Sequence, residues 1–74
     1  MKTWKEHTLF FKTDKDRDFA ENWIYDNFAL EDSYCNDLDD DTSQYVFYTS
    51  TELDRREIAL IKSNVSPIRS MFNS

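Results

Sequence analysis

The chain contains no glycine. Phosphate-cradling loops and dinucleotide fingerprints need glycine for close backbone approach, so both classes are excluded. Glycine-dependent tight hairpin turns are excluded too. The turns must use Asp, Asn and Ser, whose short polar side chains tolerate unusual dihedrals. A single cysteine, Cys35, allows no internal disulfide and points to a reducing cytoplasm. With one histidine, His7, beside that one cysteine, the usual ligand sets of structural zinc cannot be assembled. No apolar run approaches the ~18 residues of a membrane span. The lysines near the N-terminus are followed by no apolar core, so no signal peptide is expected.

What is present is aromatic and acidic. Seventy-four residues make one domain, 1–74, which buries only about 60% of its unfolded surface. Two Trp, four Tyr and six Phe compensate, since each can bury roughly 150–250 Å². A monomer or a homodimer is expected. The net charge is −6. Residues 29–41 hold Glu31, Asp32, Asp37, Asp39, Asp40 and Asp41 and no base, so this segment alone carries the whole net charge. The remaining segments nearly cancel.

The periodicity predicts a strand over 4–12, with Leu9, Phe10 and Phe11 as a buried stretch. A helix over 14–27 follows, capped by Thr13 or Asp14, with Asp16 and Asp18 near its positive end. Its apolar face is Phe19, Ala20, Trp23 and Ile24; Asp14, Asp18 and Glu21 lie away from it. A weaker strand is predicted over 32–38, then a polar turn at 39–42. The run over 43–49, SQYVFYT, reads as the strongest strand. Thr49 and Glu52 fit a capping box for a second helix ending near 63–64, with Leu53, Ile58, Leu60 and Ile61 apolar. Residues 65–72 form a last strand, which Pro67 confines to a sheet edge, or a coiled tail. The order βαββα(β) predicts an α+β, ferredoxin-like, two-layer sandwich, with two helices on one face of an antiparallel sheet.

Two readings compete for the acidic segment. It is a solvated loop, or it presents anions to a basic partner. On extended backbone, Asp37, Asp39 and Asp41 would project the same way about 6.6 Å apart. Such a row imitates a nucleic-acid backbone, and Asp14, Asp18 and Glu21 supply a second row. Tyr25 falls with these helix acids; it suits an interface anchor, or it folds over the helix end or packs under the next loop. Asp37-x-Asp39-x-Asp41 also starts like a calcium loop, but Thr42 stands where glycine is needed and Tyr48 where the bidentate glutamate belongs. The strand aromatics Phe10, Phe11, Tyr45, Phe47 and Tyr48 suit a core better than a base-stacking platform, which needs basic surroundings. His7 reads as a solvated residue near a strand edge, and Cys35 as a small buried hydrophobe. A Cys35–His7 thiol–imidazole pair would suffer from acids that raise a thiol's pKa.

The expectation is therefore a non-enzymatic cytoplasmic protein without cofactor or metal. It engages a basic protein surface, that of a nucleic-acid-binding protein, and binds neither nucleic acid nor membrane. The partner-binding residues are Asp14, Asp18, Glu21, Tyr25, Glu31, Asp32, Asp37, Asp39, Asp40 and Asp41. In length, acidity, aromatic content and lack of catalytic motifs, the chain resembles the small acidic host-takeover and anti-defence inhibitors of bacteriophages, DNA mimics among them. That resemblance implies action in a host cytoplasm. The alternative is an adaptor or antitoxin-like partner that binds through apolar strand-edge or helix contacts, its acids serving solubility.

Overall fold

In the computed structural model, which describes residues 3–74, the chain runs β1 (Lys5–Phe11), α1 (Asp14–Asn27), β2 (Asp32–Asp37), β3 (Ser43–Thr49), α2 (Arg55–Val65) and β4 (Arg69–Met71). The strands form one antiparallel sheet in the order β2-β3-β1-β4. This is the ferredoxin-like arrangement the element order predicts. The final strand forms at an edge, shorter than 65–72, because Val65 still belongs to α2 and Pro67 follows its end.

β1 and β3 are largely buried on both faces, which suits central strands. Leu9, Phe11, Tyr45 and Phe47 point to the helices and form one core with Ala20, Ile24, Leu53, Ile61 and Val65. Full burial of each large side chain contributes about 1.5–3 kcal/mol. On the opposite, helix-free face lie Thr8, Phe10, Val46 and Tyr48. There the Arg69 guanidinium sits 4.2 Å from the Phe10 ring centre, and the Trp4 and Tyr34 rings pack about Tyr48, each 6.3 Å away. The expected buried stretch Leu9-Phe10-Phe11 is thus buried on two different faces.

Thr13 caps α1 by accepting from the Asp16 amide at 3.1 Å. Of the predicted apolar face, Ala20 and Ile24 are buried and Trp23 partly so, but Phe19 is 56% exposed. It sits a further 100° around the helix from Ala20, beyond the reach of the sheet. The capping box of α2 is Asp54 with Glu57, at 2.8 and 3.0 Å, rather than Thr49 with Glu52. Thr49 is unavailable because it ends β3, pairs with Lys5 and has its hydroxyl bonded to His7 and Thr51. Leu53 accordingly precedes α2 and packs in the core, while Leu60 is exposed.

Without glycine, the left-handed backbone positions fall to Asp41 (φ 65°), Ser66 (φ 47°) and Asn73 (φ 63°). Ser66 is the C-cap of α2, where its Cβ opposes the left-handed conformation by roughly 1–2 kcal/mol. Ser66→Gly is therefore expected to stabilise the fold by up to ~1 kcal/mol after glycine's entropy cost, raising Tm by about 4–8 °C. Thermal denaturation checks it, and an unchanged or lower Tm refutes it.

Candidate partner-binding surface

α1 lies with one flank along β2, and this brings the two predicted acidic groups together. The link is Arg17, whose side chain is only 14% exposed. Its guanidinium meets Asp37 at 2.9 Å, Asp14 at 3.6 Å and Asp18 at 3.7 Å. Asp14 also accepts from the Ser43 hydroxyl at the start of β3. That bond, then Arg17, holds the Asp14 carboxyl below its usual pKa. The three carboxylates remain well exposed, Asp37 at 76%. One cation thus organises three anions and leaves an excess of negative charge at this end of the sandwich.

Asp37, Asp39 and Asp41 do not form an extended row. Asp37 ends β2, and residues 38–42 close a turn in which the Leu38 amide donates to the Thr42 carbonyl at 2.9 Å and the Asp41 amide to the Leu38 carbonyl at 3.1 Å. Asp40 accepts from the Thr42 amide and hydroxyl at 3.2 and 2.6 Å, which lowers its pKa. The left-handed Asp41 completes the reversal. The aspartates therefore splay around a tight turn, because the chain must reverse to pair β2 with β3 and cannot stay pleated there. Among the described residues, no three acid, His or Cys side chains converge as metal ligands.

Glu31 and Asp32 stand apart from this group. They lie at the start of β2, some six residues or roughly 17–20 Å from its acidic end. The sequence cluster is thus divided by the strand that runs through it. Glu21 and Tyr25 occupy the α1 flank between the two ends. Glu21 accepts from the Cys35 thiol at 3.5 Å, and Tyr25 is 66% exposed. Burial, then Glu21, pushes the Cys35 pKa up, so the thiol stays protonated and weakly nucleophilic.

His7 overturns its sequence reading. β1 is central, and the imidazole is fully buried. Nδ1 accepts from the Asn73 amide at 3.0 Å, so Nε2 carries the proton and donates to the Thr49 hydroxyl at 2.7 Å. Phe47 and Phe72 flank the ring at 4.9 and 5.9 Å. Burial drives its pKa down to about 4, against a smaller raising effect of Glu6. β3 separates β1 from β2, so His7 and Cys35 are not partners.

Sequence reasoning missed the two-faced character of the sheet. Tyr34, Met71 and the neighbouring Ile68 are exposed at or beside the helix-free face, and Tyr48 there donates to Glu6 at 2.8 Å, which raises its pKa. The alternation in SQYVFYT, with Tyr45 and Phe47 on one parity and Val46 and Tyr48 on the other, was the available signal. No helix is long and apolar enough to cross a membrane among the described residues. The chain matches no protein-family model, no curated protein and no solved structure in the comparisons made.

Proposed function

We infer that this chain is a non-enzymatic inhibitor that presents its acidic end to a basic protein surface, that of a nucleic-acid-binding protein, in the manner of a DNA mimic. One observation carries this reading: Arg17 fastens the helix acids Asp14 and Asp18 to the hairpin acid Asp37, merging two groups distant in sequence into one anionic surface beside Asp39, Asp40 and Asp41. Charges held on ordered backbone steer a basic partner from a distance and need little reordering on contact. The working location is cytoplasmic, that of a host cell if the chain is phage-encoded. Glu31 and Asp32 then act as a separate, outlying contact.

The test is capture of partners from a bacterial lysate, then association kinetics with a recovered partner. From ~0.01 to ~0.15 M salt the screening length falls from about 30 to about 8 Å, and the association rate is expected to drop roughly ten- to a hundredfold. Replacing Asp39, Asp40 and Asp41 together by Asn should weaken that salt dependence markedly while preserving the fold, since Asn keeps the turn geometry. A salt-independent rate sinks this reading. It would favour the adaptor instead, for which the exposed Tyr34, Met71 and Ile68 are the specific observation.

A further inference from the structure

β2 is an edge strand of six residues with no proline, regularly paired from Asp32 to Asp37, and among the described residues its outer side meets no other strand. The Leu38-to-Thr42 backbone bond fixes which way its amides point. By antiparallel alternation, Asp32, Tyr34 and Asn36 turn their amides to β3, and Ser33, Cys35 and Asp37 turn theirs outward. The Ser33 amide is already taken by the Asp32 carboxylate at 2.8 Å. The amides of Cys35 and Asp37 remain available to an incoming strand.

A second observation lies directly behind this edge. Tyr45, opposite Cys35 on β3, is fully buried, yet its hydroxyl has no hydrogen-bond partner among the described residues. Its neighbours are Ser33, Glu21, Cys35 and Tyr25, all on β2 or on the α1 flank beside it. Ser33 is close enough to influence the phenol, but no bond of ordinary geometry forms. A buried hydroxyl left unpaired is costly, so a donor arriving here would gain more than it could on open surface. The same point is faced by the Glu21 carboxylate.

We propose that β2 takes an extended basic segment of the partner by strand addition, with one Lys or Arg opposite Cys35 reaching Glu21 and the Tyr45 hydroxyl. Side chains two residues apart on the added strand share a face, so a second base falls opposite Asp37. The intervening residue faces the Tyr34 side and is apolar. This rests on the reading that the partner is basic, and adds how it binds. A second copy of the chain fits poorly. Antiparallel pairing of two β2 strands about Cys35 brings the Glu21 carboxylate beside Cys35 of one copy up to that of the other, between two chains of net charge −6, and like charges so placed repel.

The probes are a short peptide of alternating lysine and valine and its analogue N-methylated at alternate residues, which keeps the charge but removes backbone donors. Titration into the isotope-labelled full chain at low salt is expected to shift and protect the amides of Cys35 and Asp37. The N-methylated peptide, Glu21→Gln and Tyr45→Phe should each weaken binding by about tenfold. Tyr45→Phe should do so without lowering the stability of the free chain, because the hydroxyl has no partner there; a purely structural role would lower it. Shifts confined to residues 14–18 and 39–41, with equal binding of both peptides, overturn strand addition but leave the acidic-surface reading standing. Binding of neither peptide overturns both. A chain that dimerises through β2 and excludes the peptide overturns the proposal in favour of self-association.

Discussion

Acidification from pH 6.5 to about pH 4 is expected to cost the fold about 3 kcal/mol through His7 alone. The folded pKa is depressed to about 4, whereas the unfolded side chain titrates at 6.5. Between these values the unfolded state binds a proton that the folded state refuses. Stability therefore rises with pH across this window, is fully present above 6.5, and is lost as pH falls through 4. The structural cause is plain: a protonated imidazole would need to donate from Nδ1, where the Asn73 amide already donates, between two aromatic rings and out of contact with water. A domain of this size has roughly 4–11 kcal/mol in all, so this loss is a large fraction of it. Urea denaturation at pH 7, 5.5 and 4 measures the effect. His7→Gln should show a nearly flat profile over the window, at lower stability throughout. An equally steep profile in that variant refutes the assignment. The lowered pKa values of Asp14 and Asp40 act separately, their contribution vanishing only below pH 3.8.

Asn73→Ala is expected to destabilise the chain by about 3 kcal/mol, lowering Tm by more than 10 °C. The Asn73 amide group accepts from the Leu53 amide at 2.7 Å and donates to the Leu53 carbonyl at 2.9 Å. Leu53 is buried, so both its backbone groups would lose their partners. Asn73 also holds a left-handed conformation that alanine adopts poorly. It is the extra residue of a bulge: Met71 pairs with Thr8, but Ser74 rather than Asn73 exchanges backbone bonds with Glu6, both at 2.9 Å. One residue thus joins the end of the sheet to the β3–α2 connection and, through its backbone, to His7. Asn73→Asp keeps the acceptor and loses the donor, so its cost should be intermediate. Calorimetric melting of the three proteins in that order checks the series, and equal stability of Asn73→Ala would refute it.

These two residues show where sequence reading stops. His7 looks solvated because its neighbours Lys5 and Glu6 are charged and its chain position is near an end. Only the sheet order, which makes β1 central, buries it. Asn73 carries no local signal, since its partners are 20 and 66 residues away. The acidic surface was half legible. The excess of aspartate and its proximity to a turn are properties of the chain, as is the helix flank of Asp14, Asp18, Glu21 and Tyr25. The role of Arg17 was not visible, because a base between Asp16 and Asp18 reads as one more solvated charge until β2 lies beside the helix. The misplaced α2 cap has a similar origin. Thr49-to-Glu52 and Asp54-to-Glu57 both fit the capping pattern, and strand pairing decides between them.

What the chain determined by itself follows from short-range physics. Alternation and β-branching made the strands, helical spacing buried Ala20 and Ile24, and the absence of glycine sent Asp41, Ser66 and Asn73 to the left-handed positions. What only the tertiary structure decided depends on which element lies beside which. Packing α1 against β2 drew separated acids around Arg17, ran the β2 strand between the two halves of the aspartate-rich segment, and left the Tyr45 hydroxyl unpaired behind an open edge. Charge is a property of the sequence, but its arrangement depends on distances that long-range packing alone sets.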